Sequence, residues 1–105
     1  MADSFVTVAR TDEIPSGEAR VFEVQGTRVA VCNVDGTFYA IADVCTHDDG
    51  PLGKGQLDGY AIECPRHGAR FDVRTGAVLQ MPAVFPVKAY PTQVTDGEIK
   101  ITLGE

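Results

Sequence analysis

The sequence is poor in the residues that most often carry chemistry. It holds two histidines and three cysteines in 105 residues. Outside one short stretch, no histidine remains to act as a base and no Ser-His or Cys-His pair can build a nucleophile, so a catalytic site is not expected. There is no run of Lys or Arg, and the net charge is −6, which leaves no cationic footprint for nucleic acid. The strongest apolar run, Val29 to Cys32, is far too short to span a bilayer. No basic segment followed by an apolar one opens the chain, so no signal peptide is expected. Three cysteines do not make the disulfide framework of a secreted scaffold. A cytoplasmic protein, without membrane or nucleic-acid contact, is the expectation. At this length the chain is one domain, and its modest core gains from a staple. Repeats, linkers and low-complexity tracts are absent, and no stretch supports a long helix.

What remains is a succession of short alternating segments. Phe5 to Ala9 alternates. Thr11 is positioned to cap one short helical turn, which Pro15 and Gly17 stop. Ala19 to Gln25 places Val21 and Glu23 on one face and Phe22 and Val24 on the other, and Gly26-Thr27 turns the chain into a Val-rich strand, Arg28 to Val34. Asp35-Gly36 is a strong hairpin signal, returning through Thr37 to Ala42. Beyond it, Leu57 to Tyr60 turns into Ala61 to Cys64, and Arg70 to Val73 is followed by a Thr75-Gly76 turn and Ala77 to Leu79. Val87 to Gln93 reads as one strand. Asp96-Gly97 turns it into Glu98 to Leu103, apolar in and polar out. The fold class is all-β, a small antiparallel sheet or barrel. Cys32, between Val31 and Val34, reads as a buried core residue and not as a ligand.

The scarce residues are gathered in one place. Cys45-Thr46-His47 is followed by sixteen residues and then Cys64-Pro65-Arg66-His67, a C-x-H-x16-C-x2-H pattern. Two thiolates and two imidazoles suit iron–sulfur or zinc. Asp43 to Pro51 and Cys64 to Gly68 are the two candidate ligand loops, and a metal tying them together would be the staple. If the metal is an iron–sulfur cluster, Gly50-Pro51-Leu52-Gly53-Lys54-Gly55 would let backbone N–H groups approach its sulfides, since glycine lacks Cβ. Leu52 is a candidate apolar cover. Asp48 and Asp49, directly after His47, are candidates for partner recognition.

This stretch resembles the Rieske iron–sulfur proteins. After Cys64-Pro65-Arg66-His67-Gly68 come Phe71-Asp72, Thr75-Gly76, Pro82-Ala83, Pro86-Val87 and Tyr90 in the family's order, so the likeness covers most of the chain. It implies a Rieske fold, with a base subdomain of about residues 1–42 and 83–105 and an inserted cluster-binding subdomain of about 43–82. It implies one [2Fe-2S] cluster, with Cys45 and Cys64 on the inner iron and His47 and His67 on the outer one. Pro82 falls where the family places a covering third loop. A cluster of two ferric ions and two sulfides carries two positive charges, which two thiolates cancel. An electron is accepted more easily there than by the dianion of a four-cysteine site, whose plant-type potential is about −400 mV. The implied function is one-electron transfer through His47 and His67 at the tip of the molecule, in a monomeric carrier like the small Rieske ferredoxins of ring-hydroxylating dioxygenase systems. Its implied partners are a flavin or iron–sulfur reductase and a terminal oxygenase. The alternatives are a non-catalytic subunit similar to the small subunit of nitrite reductases, and a zinc-binding structural module. High-potential Rieske proteins carry a loop disulfide and two hydroxyls near the cluster. The matching positions here are Gly50 and Arg66, and Ala69 and Phe71, so neither device is expected and a low potential follows.

Overall fold

The computed structural model describes residues 5–44, 52–65, 68–81 and 85–103. Strands β1 (Val6–Arg10), β2 (Ala19–Val24), β3 (Thr27–Val34) and β4 (Thr37–Ala42) precede the two candidate ligand loops. Four short ones, β5 (Gln56–Asp58), β6 (Ala61–Glu63), β7 (Arg70–Asp72) and β8 (Val78–Gln80), surround the second loop. The chain then runs through β9 (Ala89–Tyr90), β10 (Thr92–Thr95) and β11 (Glu98–Ile101). Among the described residues every pairing is antiparallel. The sheets have orders β1-β11-β10, β2-β3-β4-β9 and β5-β6-β7-β8. Among the described residues the only helical turn is a 3-10 turn at Thr11–Glu13, and no helix is long and apolar enough to cross a membrane.

Alternation along β3 explains the layering. Successive side chains of a strand point to opposite faces, and β3 is apolar on both. Val29 and Val31 pack with Phe38, Ala40, Ile99 and Ile101 in the core shared with the three-stranded sheet. Ala30 and Cys32 pack with Ile41, Leu52, Ile62, Cys64 and Phe71 in the core shared with the β5–β8 sheet. The middle sheet therefore lies between the other two, and the β5–β8 sheet, which flanks the second candidate ligand loop, is seated on a hydrophobic face. Fully burying a side chain such as Phe71, Ile62 or Leu52 stabilises by about 1.5–3 kcal/mol.

Three two-residue hairpin loops have positive φ at both central positions: Gln25-Gly26, Asp35-Gly36 and Asp96-Gly97. This is the type I′ geometry that matches the twist of the flanking strands. Asp35-Gly36 and Asp96-Gly97 form as expected. The first turn is shifted by one residue, because Thr27 already pairs with Val24 in the β2–β3 ladder. Gln25, an uncommon residue for positive φ, fills the position where Asn or Asp is usual.

Three further expectations differ. Val87 to Gln93 is not one strand. β9 pairs with β4 in the middle sheet, whereas β10 pairs with β11 in the three-stranded sheet. Pro91, which has no N–H to give a ladder, lies at the crossing. The short helical turn forms, but its N-cap is Arg10, not Thr11; the Glu13 carboxylate reaches back to accept from the Arg10 N–H at 3.1 Å. β5 was expected as part of a turn, and instead pairs in register with β6.

Candidate metal centre

Of the four expected ligands, Cys64 lies within the described residues. It directly follows β6 and is 1% exposed. Its N–H donates to the Ala69 carbonyl at 2.7 Å, and its own carbonyl accepts from the Gly68 N–H at 3.1 Å. The chain thus leaves β6 at Cys64 and rejoins β7 through Ala69 in a tight loop, with Gly68 at φ +79°. The Gln80 side chain donates to the Gly68 carbonyl at 3.0 Å and ties β8 to the same loop. Glu63 and Arg70, opposite one another at the strand ends, form an ion pair at 3.2 Å. Cys45, His47 and His67 lie outside the described residues, as do Asp48, Asp49, Gly50, Arg66 and Pro82. Among the described residues no group of three His, Cys, Asp or Glu side chains is gathered for a metal.

The feet of the first loop are described, and they meet on one side chain. The Asp43 carboxylate is wholly buried. Its Oδ1 accepts from the N–H of Leu52 at 2.9 Å and of Gly53 at 2.6 Å. Its Oδ2 takes the Arg28 guanidinium at 2.7 Å, and its own N–H donates to the Arg28 carbonyl at 3.0 Å. A buried donor left without an acceptor costs about 1–3 kcal/mol, so this carboxylate matters to both ends of the segment between 43 and 52. Sequence reasoning did not single out Asp43. The signal was an acidic residue two positions before Cys45, in a segment otherwise about to turn.

The glycines after the loop have a packing role. A Cβ on Gly53 would collide with the Val21 side chain and sit 3.1 Å from Asp43 Oδ1, and one on Gly55 would collide with the Glu63 carbonyl. These residues let the loop's exit lie flat on β2 and β6, a cause the expectation of sulfide approach did not include. Leu52, expected as a cover, is a fully buried member of the core that also contains Cys64.

Cys32 is fully buried in β3, and burial pushes its thiol up to about 12. A thiol so reluctant to ionise is a poor ligand, in keeping with its place in the core. Ala69 and Phe71 are both 0% exposed, and neither carries a hydroxyl. At the far side of the β5–β8 sheet, Arg74 grips the Asp72 carboxylate through Nε at 3.0 Å and Nη2 at 2.8 Å. Its guanidinium lies 3.9 Å from the centroid of the Tyr60 ring, which meets Tyr39 edge-on at 6.0 Å. The Arg74 hydrogen bond holds the Asp72 carboxyl below the usual carboxylate range.

A buried, undisulfided cysteine at the mouth of a tight loop, beside a second loop whose two feet are fixed, fits a cluster held between them. The donor set of the sequence fits the same group. Comparison with known proteins agrees. Residues 4–91 match the Rieske [2Fe-2S] domain. The chain is 41% identical over 99 residues to the 3-phenylpropionate/cinnamic acid dioxygenase ferredoxin subunit of Photorhabdus laumondii, covering 93% of each. The solved ferredoxin of carbazole 1,9a-dioxygenase from Nocardioides aromaticivorans superposes with a TM-score of 0.90 at 39% identity, covering 93% of this chain and 96% of that one. A solved complex of reduced oxygenase and oxidized ferredoxin in carbazole 1,9a-dioxygenase gives 0.91 at 32% identity, covering 99% and 97%. This chain belongs to the Rieske [2Fe-2S] family.

Proposed function

We propose that this chain is a one-electron carrier, the ferredoxin component of a ring-hydroxylating dioxygenase system, taking electrons from a reductase and passing them to a terminal oxygenase. The observation that carries the reading is identity of 39–41% over 93% of the chain to dioxygenase ferredoxins. In it, one Rieske-type [2Fe-2S] cluster supplies storage of a single electron. Cys45 and Cys64 hold one iron, and His47 and His67 the other. The strand pairing supports division into a base and an inserted cluster-binding subdomain of about 43–82, because among the described residues β5 to β8 pair only with one another.

The chain's own residues do the rest. Burial of Cys64 keeps water from its sulfur, and its hydrogen bond with Ala69 fixes the backbone on which it sits. Asp43 and Arg28 fix the start of the loop that carries Cys45 and His47. A carrier needs little motion between its redox states, and a ligand backbone pinned by strands on both sides provides that. The protein works in the cytoplasm as a monomer. In the test, the reduced protein is mixed with a terminal oxygenase of the ring-hydroxylating class. Its reoxidation, with one electron delivered per chain, is the expected result. Failure to reoxidise with any such oxygenase, together with stable co-purification in a larger reductase, moves the assignment to the permanent-subunit alternative.

A further inference from the structure

We propose that Asp43 is the positioning residue of the first ligand-bearing loop. Its carboxylate binds both feet of that loop and so sets the geometry at Cys45 and His47, beyond any share in fold stability. The inference rests on the assignment of those two residues as ligands. The carboxylate is wholly buried, and its two oxygens are divided between tasks. Oδ1 takes the two successive N–H groups of Leu52 and Gly53, where the loop returns to the core. Oδ2 and the Asp43 N–H both bind Arg28 of β3, where the loop leaves the middle sheet. Two residues span at most about 7 Å of extended chain, so a shift of Asp43 passes directly to Cys45. At the return foot, Leu52 is locked in the core beside Cys64. Gly53 has no room for a side chain between Val21, Ala30 and Asp43. The loop cannot slide over its exit without breaking the Asp43 contacts. Arg28 is more than half exposed and serves to hold the carboxylate's direction.

The test compares Asp43→Ala and Asp43→Glu with Asn33→Ala in the cluster-loaded protein. Asn33 is also buried and also ties a turn, through Ile14 and Gly36 at 2.7 Å each, but it belongs to the β3–β4 hairpin. Three quantities are read for each: the urea midpoint, the rate of iron loss to a chelator, and the electron paramagnetic resonance line of the reduced cluster. Asp43→Ala is expected to lose iron about 10-fold faster or more, as loss of a residue orienting a ligand does, and to broaden the resonance. Asn33→Ala is expected to lower the urea midpoint with the resonance unchanged. Asp43→Glu keeps the charge but moves it outward by one methylene, so it is expected to shift the resonance even where the midpoint holds, and it carries the test if Asp43→Ala does not fold. Unaltered resonance in Asp43→Glu, or iron loss that tracks the urea midpoint equally in the Asp43 and Asn33 variants, overturns the proposal. A parent protein lacking a Rieske-type resonance overturns the ligand assignment itself, which the variants then share.

Discussion

The amide of Cys64 donates to the carbonyl of Ala69 at 2.7 Å, closing the second candidate ligand loop on a residue with no hydroxyl. Phe71, two positions on, is fully buried in the same core as Cys64 and also has none. Donors directed at cluster sulfur stabilise the reduced, more negative state and raise the potential. The lack of a hydroxyl at Ala69 and Phe71 predicts a potential near the low end of the Rieske range, about −150 mV. Ala69→Ser combined with Phe71→Tyr should raise it by about 100 mV if both hydroxyls reach sulfur. Voltammetry decides, and a value above zero for the unmodified protein refutes the argument.

Cys32 should be inert. Its thiol titrates at about 12 against an ordinary 9.0. The folded protein should therefore resist alkylation at Cys32 at pH 8, as read by mass spectrometry of peptides. A pKa raised by folding means that the unfolded chain loses its proton first. Stability from this group is complete below about pH 9 and is lost as pH rises toward 12. Cys32→Ala should weaken that alkaline loss, cost about 1 kcal/mol near neutrality and leave the cluster spectrum intact.

Asp72 titrates in the opposite direction. Its folded pKa is lowered, chiefly by the Arg74 hydrogen bond, so its contribution is present above the ordinary carboxylate value near 4. It disappears as pH falls through the lowered folded value. Arg74→Gln should reduce the melting temperature at pH 7, and the gap from the parent should narrow as pH falls through that value. A gap independent of pH would show that Arg74 acts through its stacking on Tyr60 alone.

Electron exchange with the partner should slow as salt rises. The chain carries a net charge of −6, and exposed charges are screened beyond about 10 Å at 0.1 M. Stopped-flow rates across a salt series measure this. A rate indifferent to ionic strength argues against electrostatic docking and leaves the acidity to solubility.

The sequence was legible where one residue dominates a local choice. Asp35-Gly36 and Asp96-Gly97 specify their turns because their residues tolerate positive φ, and the alternation of β11 places Ile99 and Ile101 in the core. The C-x-H-x16-C-x2-H pattern stands out because cysteine and histidine are rare in this chain, and the family it points to is the one that residues 4–91 match. Legibility failed where tertiary contacts decide. Pro91 lies at the break between β9 and β10, but the stretch from Val87 to Gln93 reads as one strand, and nothing local says that its two halves belong to different sheets. The three residues of β5 are too few to show a period. Asp43 is an ordinary acidic residue by type, and its role comes from Leu52 and Gly53, which reach it only in the folded chain.

The account stands on Cys45, His47, Cys64 and His67 holding a two-iron cluster. The most direct test is metal and sulfide analysis of the purified protein, with electron paramagnetic resonance of the reduced form and of His47→Ala and His67→Ala. The prediction is a red-brown protein with about two irons and two labile sulfides per chain, and a Rieske-type signal that either histidine substitution abolishes. One zinc, no iron and a colourless solution would contradict it and return the site to the structural-module alternative.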